Sequence, residues 1–588
     1  MLATSPGRDV PAGSSPDRLF LEELIRAIAE GKGEELPKTV LAMLQGRIGR
    51  LESGARRVLR AASVFGEHCW AGGVAGLLGL ERSEALRWMQ LLVQQELLEE
   101  RHDSRFSNET EYRFRHALMR DAAYSLLSDE DRLLGHRLAA GFLKAAGESA
   151  AVLAYHHQAA GDHEEAMHAF MHAGHGALQL SQHSEARRHY AAASESLAHL
   201  PDTPDNRRVQ VDILLSRVQV GLTNEPNEQL LQQLAQARAL LDSLAGTEGA
   251  SVEDRQRLAY VAYFIGRVHH YSGRSDEAIA HFEQAMPVIS QLGGAELLVT
   301  PTSAIARALV GQGAFGRGGK LLADIIEPLA ELGDLGELCS SLCYLAISLA
   351  GRGRYQEALH QLELGKAAAE RSNRSLVMEL FLLRKASVHM TAADWPATLA
   401  AVTPLIEKVK PSTEKLVLYL SLDQLAWAES HLGQTEQALA HRAQASDIRQ
   451  SLGGGIVGDW FEAAEAEMLL NANRPEDALR QAQAVVSADP RASLPFSHAV
   501  AKRTWACSLA RLDADLREVD LHFAEALAVC QPHDQVVNAA LTELWWGRML
   551  HERGEAAAAG PHFLRSIAMF DETGCEYASQ QARHYAKI

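Results

Sequence analysis

The second half of the chain carries helix-breaking residues at a regular interval of about forty. The positions are Gly273, Gly313, Gly353, Gly433, Asn473 and Gly554. Their spacings are 40, 40, 80, 40 and 81 residues, and the position skipped in the first double interval, Ala393, lies in a Thr-Ala-Ala-Asp segment that also predicts a helix–helix turn. Such a period indicates stacked helical hairpins, each too small to bury its own apolar face. We therefore expect a binding scaffold rather than a catalytic pocket.

Small side chains follow most of these turns after five residues. They are Ala278, Gly318, Ala358, Ala438 and Ala478. The most complete copy is Gly266, Ala278, Phe282 and Ala285, in which the small residues let two helix backbones approach and the phenylalanine fills the space beside them. This small–large–small pattern resembles the tetratricopeptide repeat. The longer period is similar to the long-helix variant found in large bacterial signalling ATPases.

Composition favours helices and limits the partners. The chain has 588 residues, of which 6% are aromatic, and its formal net charge is −18. Low aromatic content suits helices better than β-sandwiches. A solenoid can reach this length because it grows by contacts between neighbours. A net acidic chain repels phosphate backbones, so we expect no nucleic acid as the principal partner.

Cysteine spacing and hydropathy suggest a reducing compartment. Cys339 and Cys343 are the only close pair among six cysteines; they could supply half of a metal site, but the pattern favours small buried side chains. The first residues lack an apolar stretch of signal-peptide length, and no run of about eighteen apolar residues predicts a membrane span. We expect a cytoplasmic protein that requires no cofactor.

The chain divides by pattern into five segments. They are a disordered N-terminus at 1–17, a helical lid-like segment at 18–66 that begins with an amphipathic helix at Leu19–Ile28, a winged-helix domain at 67–147, irregular helical hairpins at 148–251, and a regular solenoid at 252–588. The fold class is therefore mainly α, a tetratricopeptide-like α-solenoid preceded by a winged-helix domain.

Only the segment 67–147 predicts β structure. Helices at Trp70–Leu78 and Glu84–Gln95, the second capped by Ser83, precede strands at 97–101 and 111–114. The second strand alternates polar and aromatic side chains, as a half-buried strand does, and a helix follows from about His116. This order of elements is that of a winged helix.

Two stretches outside the repeats carry a second resemblance. They are Phe20-Leu21-Glu22-Glu23-Leu24 with the segments 36–40 and 55–66, and Phe114-Arg115-His116-Ala117-Leu118-Met119-Arg120-Asp121-Ala122-Ala123-Tyr124. Together they resemble the rear half of bacterial signalling ATPases of the STAND class, including the serine/threonine kinase–ATPase–tetratricopeptide proteins typical of myxobacteria. The resemblance implies a bacterial signal-transduction protein in which a nucleotide-binding domain precedes the lid, the winged helix and the solenoid.

The catalytic signature of that class is absent from this sequence. No phosphate-binding loop with a following Ser or Thr occurs. In the nearest segment, Gly316 to Lys320, the glycine spacing is wrong and Leu321 follows the lysine. We therefore expect no enzymatic activity from this chain. In related ATPases a winged-helix histidine approaches the phosphates of ADP, so the resemblance implies nucleotide contact by His116 if a nucleotide domain is supplied in trans. The alternative is that His116 only caps a helix and packs against the hairpin.

Other candidate sites have simpler interpretations. His168, His172 and His175 share a helix face beside His156 and His157 and could hold zinc, but such clusters more often form polar contacts between helices. Trp460-Phe461 and Trp545-Trp546 are more typical of repeat core than of ligand-stacking surfaces. The helix at 84–95 carries few basic residues for a DNA groove.

These patterns favour a non-catalytic sensor scaffold. We expect the solenoid to bind a protein or a small effector and to transmit this event to an ATPase or kinase module in trans. The alternatives are a winged-helix transcriptional regulator that binds DNA, and an ATPase whose catalytic half lies outside this sequence.

Overall fold

A computed structural model describes residues 40–180, 182–222, 224–248, 251–292, 295–408, 415–453, 455, 457–488 and 494–586. The N-terminal segment 1–17 and the helix expected at Leu19–Ile28 lie outside these residues. The chain forms two compact units. Unit 1 comprises residues up to Ala173 together with Ala192–Leu200, and unit 2 comprises Gly174–Ala191 and Pro201 onward. The chain passes between the units within two helices, His163–Gln179 and His183–Leu197, and again between Leu200 and Pro201.

Unit 1 combines short helices with a small sheet. Its elements are α1 Val40–Gly49, α2 Ser53–Val64, β1 His68–Trp70, α3 Ala71–Leu78, α4 Arg82–Gln94, β2 Leu98–Glu100, β3 Glu111–Phe114, α5 Ala117–Ser125, α6 Asp129–Ala145, α7 Ala150–Ala159 and parts of α8 His163–Gln179 and α9 His183–Leu197. The strands are antiparallel in the order β1-β3-β2. His68 pairs with Arg113, and Leu98 pairs with Phe114.

Two local features of unit 1 differ from the sequence expectation. Strand β1 was not expected, because its three residues run directly into α3 and its apolar side chains continue the helical pattern. Helix α4 begins at Arg82, two residues early, after Glu81 in extended conformation and with no side-chain cap. The prediction that Ser83 caps this helix is wrong, because Ser83 lies inside the first turn. The core joins the sheet to the helices through Tyr112, Phe114 and Met89, all fully buried.

Besides the remaining parts of α8 and α9, unit 2 contains only helices among its described residues. They are α10 Pro204–Gly221, α11 Asn227–Glu248, α12 Val252–Tyr271, α13 Ser275–Leu292, α14 Ala295–Gln312, α15 Phe315–Leu332, α16 Leu335–Gly351, α17 Tyr355–Ser372, α18 Ser375–Thr391, α19 Trp395–Lys408, α20 Lys415–His431, α21 Thr435–Ser451, α22 Gly458–Asn471, α23 Pro475–Ala488, α24 Pro495–Arg511, α25 Leu516–Cys530, a 3₁₀ turn Gln531–His533, α26 Val536–Glu552, α27 Ala556–Thr573 and α28 Glu576–Ala586. From α12 to α27 they pair into eight hairpins, each packed on the next. This part is an α-solenoid.

A residue with positive φ ends the first helix of every hairpin. These residues and their φ angles are Gly273 (79°), Gly313 (91°), Gly353 (77°), Ala393 (59°), Gly433 (85°), Asn473 (59°), Asp513 (57°) and Gly554 (82°). Asp513 completes the series inside the last double interval, where no turn was expected from the sequence. A left-handed residue at this point stops the helix and reverses the chain.

The two helices of a hairpin meet at the small residues named above. A Cβ atom on Gly266 of α12 would lie 2.7 Å from the ring of Phe282 and 3.0 Å from the carbonyl oxygen of Ala278. Phe282 is fully buried, and Ala285 is 1% exposed. The equivalent alanines of later hairpins, Ala358, Ala438 and Ala478, are also fully buried.

The turns of the first three hairpins also contact the sixth, seventh and eighth hairpins, respectively. A Cβ on Gly273 would lie 2.7 Å from the carbonyl oxygen of Gly455, which precedes the sixth hairpin. At Gly313 it would lie 2.6 Å from Cβ of Phe496 in the seventh, and at Gly353 it would lie 3.1 Å from Val536 in the eighth. The carbonyl of Gly313 also accepts a buried hydrogen bond from Gln535 at 3.2 Å. These contacts bind the start of the hairpin series to its end.

No described helix is long and apolar enough to cross a membrane.

The turn glycines provide a test of the contact between distant hairpins. Gly313 and Gly433 both have φ near 90°, but only at Gly313 would an added Cβ atom have a neighbour within 4 Å. Gly433→Ala should cost about 1–2 kcal/mol of unfolding free energy from the left-handed conformation alone. Gly313→Ala should cost about 1–3 kcal/mol more, because the new methyl group collides with Phe496.

Urea denaturation of both variants, followed by far-ultraviolet circular dichroism, measures the difference. Equal losses of stability in the two variants would contradict the close approach at Gly313.

Candidate functional site

A cavity of about 330 Å³ lies in unit 2 among the first helices of six consecutive hairpins. Its walls come from α12, α14, α16, α18, α20 and α22, and Gln219 of α10 also lines it. Gly311 near the end of α14 faces Val457, which precedes α22: a Cβ on the glycine would lie 3.6 Å from the valine side chain. Residues nearly 150 positions apart therefore meet in one wall, and this volume falls in the range of small-molecule sites.

The lining residues follow the forty-residue period. On α18, Leu380, Arg384 and Ser387 are spaced i, i+4 and i+7 and thus share one helix face. Each has lining residues one or more periods away. The three series are Ser340, Leu380, Leu420 and Trp460; Ala304, Tyr344, Arg384 and Gln424; and Arg267, Arg307, Ile347 and Ser387. Equivalent faces of the first helices therefore line the cavity, through the C-terminal end of α12 and the N-terminal end of α22.

Arg307 is held by an acidic partner. Its Nη1 donates to Oε1 of Glu337 at 2.7 Å and to Oγ of Ser340 at 3.0 Å. Ser303 donates to the same carboxylate oxygen at 2.6 Å. Burial by itself raises the pKa of Glu337, but the charge of Arg307 and the serine hydrogen bond outweigh it and hold the pKa below its ordinary value. Glu337 is thus ionised and neutralises one arginine.

Arg267 is held by tyrosines instead. Its guanidinium donates to the hydroxyl of Tyr263 at 3.2 Å and to that of Tyr271 at 3.4 Å, and it lies 5.8 Å and 5.5 Å from their ring centroids. Among the described residues no carboxylate forms an ion pair with Arg267. The ring faces attract the charge without neutralising it.

Arg384 has a single aromatic neighbour as its partner. Its guanidinium carbon lies 5.3 Å from the ring centroid of Tyr344, and the side chain is half-buried. Within the part of the chain that the structure describes, no ion pair or hydrogen bond engages this guanidinium. Its donor groups therefore remain available to a ligand.

The lining charges add to an excess of positive charge. Four arginines and two acids line the cavity: Arg267, Arg307, Arg374, Arg384, Asp334 and Glu337. The excess is two positive charges in a chain whose net charge is −18.

Neighbouring side chains respond to this positive field. Burial, followed by the charges of Arg307, Arg267 and Arg384, lowers the pKa of His270 to about 3. At Tyr271 burial raises the pKa, but the same three arginines outweigh it and bring the pKa below its ordinary value. His270 is therefore neutral at physiological pH, and the cavity favours negative charge.

Two polar atoms in the cavity wall lack partners. Nδ1 of His270 and Oε1 of Gln424 are buried and have no hydrogen-bond partner among the described residues. The other end of Gln424 is fixed, since its Nε2 donates to Oγ of Ser387 at 2.8 Å. Buried polar atoms are nearly always satisfied in folded proteins, and exceptions often mark functional positions.

The aromatic pair Trp460-Phe461 belongs to the core, as the sequence favours, and also borders the cavity. Both side chains are buried, at 3% and 0% exposure, and Trp460 stacks on Phe496 with ring centroids 3.7 Å apart. Both also line the cavity. These core residues thus provide an apolar end to the site.

The other sequence candidates lie elsewhere. His116 is in unit 1, half-buried, and precedes α5 in extended conformation, and its side chain makes no capping hydrogen bond to that helix. None of the repeat-packing residues Gly266, Ala278, Phe282, Ala285, Ala358, Ala438 and Ala478 lines the cavity. His168, His172 and His175 are exposed on α8, and within the described residues no group of three or more potential ligands could hold a metal.

The segment Gly316 to Lys320 takes part in helix packing. A Cβ on Gly318 would lie 2.9 Å from the carbonyl oxygen of Ala306, and a Cβ on Gly319 would collide with Ser348. These glycines therefore permit close contact of α15 with α14 and α16.

Comparison with known proteins gives only distant similarities. No protein-family model and no curated protein matches the chain. Among solved structures, a Rap protein complexed with competence and sporulation factor aligns with 70% of this chain and 99% of its own, at 9% identity and a TM-score of 0.42. A STAND protein with a tetratricopeptide repeat sensor from Pyrococcus horikoshii aligns with 90% of this chain and 69% of its own, at 13% identity and a TM-score of 0.31.

The apo form of the quorum sensor NprR from B. thuringiensis aligns with 69% of this chain and 99% of its own, at 10% identity and a TM-score of 0.37. All three scores lie below 0.5, and the fold and the cavity described above rest on the chain's own contacts.

The neutral His270 predicts a specific pH dependence. The unfolded chain binds a proton at this histidine below about pH 6.5, whereas the folded chain does not until about pH 3. Stability from this residue is therefore complete above pH 6.5 and decreases as the pH falls, by about 2 kcal/mol at pH 5.

His270→Gln should show a smaller loss of unfolding free energy between pH 7 and pH 5 than the wild type in urea titrations. His360→Gln, at an exposed position of α17, is the matched control and should behave as the wild type. An unchanged pH dependence in the His270 variant would contradict the buried neutral state.

Proposed function

We propose that unit 2 is a non-catalytic sensor that binds a small effector in the cavity described above. The observation that carries this proposal is the guanidinium group of Arg384, which forms no ion pair with any described residue, inside a cavity shared by six hairpins. Holding a guanidinium group without an ion pair in a half-buried site is unfavourable, because the charge loses hydration there. A ligand that enters the cavity supplies the missing interactions.

Because several hairpins line the cavity, binding of a ligand can change how these hairpins are arranged. Its lining comes mainly from the first helices of six hairpins, so one ligand contacts several hairpins at once. Such a ligand stabilises the arrangement in which these helices are packed, by about 2.7 kcal/mol at a concentration 100 times its dissociation constant. A shift between arrangements of the hairpins is then the signal.

The receiver of the signal belongs to the same proposal. The resemblance of the N-terminal part to STAND ATPases supports transmission to an ATPase or kinase module supplied in trans, with unit 1 as the coupling element. The winged-helix character of unit 1 and nucleotide contact by His116 remain part of this proposal.

Filling the cavity tests the proposal. Ala304 is 2% exposed and lines the cavity, whereas Ala443 on α21 is exposed. In a thermal-shift screen of the wild type against amino acids, organic acids, sugars, nucleotides and short peptides, at least one class should raise the melting temperature. Ala304→Phe should abolish that shift, because the ring occupies the ligand volume.

Ala443→Phe is the matched control and should keep the shift. Retention of the full shift in the Ala304 variant, with a native circular dichroism spectrum, would place the binding site outside the cavity and contradict the proposal.

A further inference from the structure

Three of the four arginines that line the cavity, those on the first helices of the hairpins, differ in what already occupies their donor groups. Arg307 is neutralised by Glu337 at 2.7 Å. Arg267 donates to two tyrosine hydroxyls. Arg384 has only the ring of Tyr344 beneath it. The five N–H donors of a guanidinium are otherwise directed outward in a planar fork, so Arg384 is the residue best able to accept a new partner.

A purely structural role does not explain Arg384. A cation–π contact contributes about 0.5–2 kcal/mol, and Leu at the same position of the helix would extend the apolar face without desolvating a charge. The hydrophobic neighbours on α18, Leu380 and Leu383, also line the cavity. The guanidinium thus lies in an apolar wall in which neutral side chains would pack at lower cost.

The surroundings of Arg384 define the chemistry of its partner. The planar fork matches the two oxygens of a carboxylate or of a phosphate. The side chains that line the cavity carry a formal excess of only two positive charges, which fits a carboxylate or a monoester phosphate better than a polyphosphate. Leucines extend from Arg384 along α18 and α20, through Leu380 and Leu420, to Trp460 on α22. An anionic group at one end and an apolar body therefore match both parts of the wall.

We propose that Arg384 directly binds the carboxylate or monoester phosphate of a small organic anion whose apolar body packs against Leu380, Leu420 and Trp460. This inference rests on the proposed effector function and names its ligand class. Tyr344 holds the guanidinium in position from below. Arg267 and Arg307 add long-range attraction but keep their present partners.

Three probes with the same apolar body test the assignment. Hexanoate, hexyl phosphate and hexan-1-ol are titrated into the full chain, and dissociation constants are measured by ligand-observed NMR. The wild type should bind one or both anions at least about tenfold more tightly than the alcohol, since a charge-assisted bidentate contact is lost in the alcohol. The stronger of the two anions identifies carboxylate or phosphate as the recognised group.

Replacing the guanidinium separates its role from that of the fold. Arg384→Gln should weaken anion binding by about 10- to 100-fold and leave hexan-1-ol unchanged, and its melting temperature should equal or exceed that of the wild type. Arg317→Gln, at an exposed position of α15, changes the net charge equally and should leave all three dissociation constants unchanged.

Each opposite result overturns the assignment. Equal binding of the alcohol and the anions, lost in Ala304→Phe, would retain the effector cavity but exclude anion recognition. Absence of binding by both anions at millimolar concentration would exclude this ligand class. The proposed effector function is tested separately, by the thermal-shift screen. An Arg384→Gln variant that melts at lower temperature and loses all probes equally would show that the arginine is structural.

Discussion

Unit 2 depends on the contacts that the turns of its first three hairpins make with the sixth, seventh and eighth hairpins. At Gly313 the backbone has φ of 91°, lacks a side chain and lies against Phe496 and Gln535. Only glycine satisfies both the left-handed conformation and the short distance. Gly273 and Gly353 make the corresponding contacts in the hairpins before and after it. The turn residues of the first three hairpins therefore connect the two ends of the series.

The cavity results from these contacts between distant hairpins and from the forty-residue repeat. First helices present the same face at every step, so residues forty apart accumulate along one inner surface. The approach of Gly311 to Val457 then brings the second hairpin into contact with the sixth. Because of this contact, the inner face of the first helices encloses a cavity of about 330 Å³ and is not an open surface. Positive charge on that surface is consequently concentrated and partly dehydrated, which strengthens its interaction with an anion.

Most of the hairpin architecture could be predicted because its determinants are local. Left-handed turn residues and small side chains act within one helix pair, and the forty-residue interval records them directly in the sequence. The exceptions have local reasons too. Asp513 adopts φ of 57° without being glycine or asparagine, and β1 is too short to show alternation. Ser83 lies one residue past the true start of its helix, because helix ends are determined by contacts as much as by capping residues.

The site was not predictable in the same way. Arg267 and Arg307 are one period apart, as are Tyr344, Arg384 and Gln424, so an alignment of the repeats would have shown that they share a helix face. It would not have shown that this face is internal. The sequence by itself determined the helical hairpins, their period of about forty residues and all of their turns except the one at Asp513, because these follow from contacts between neighbours along the chain. Only the tertiary structure decided which hairpins meet five places apart and which arginines lack an acidic partner, because the rotation between successive hairpins is summed over many packed side chains.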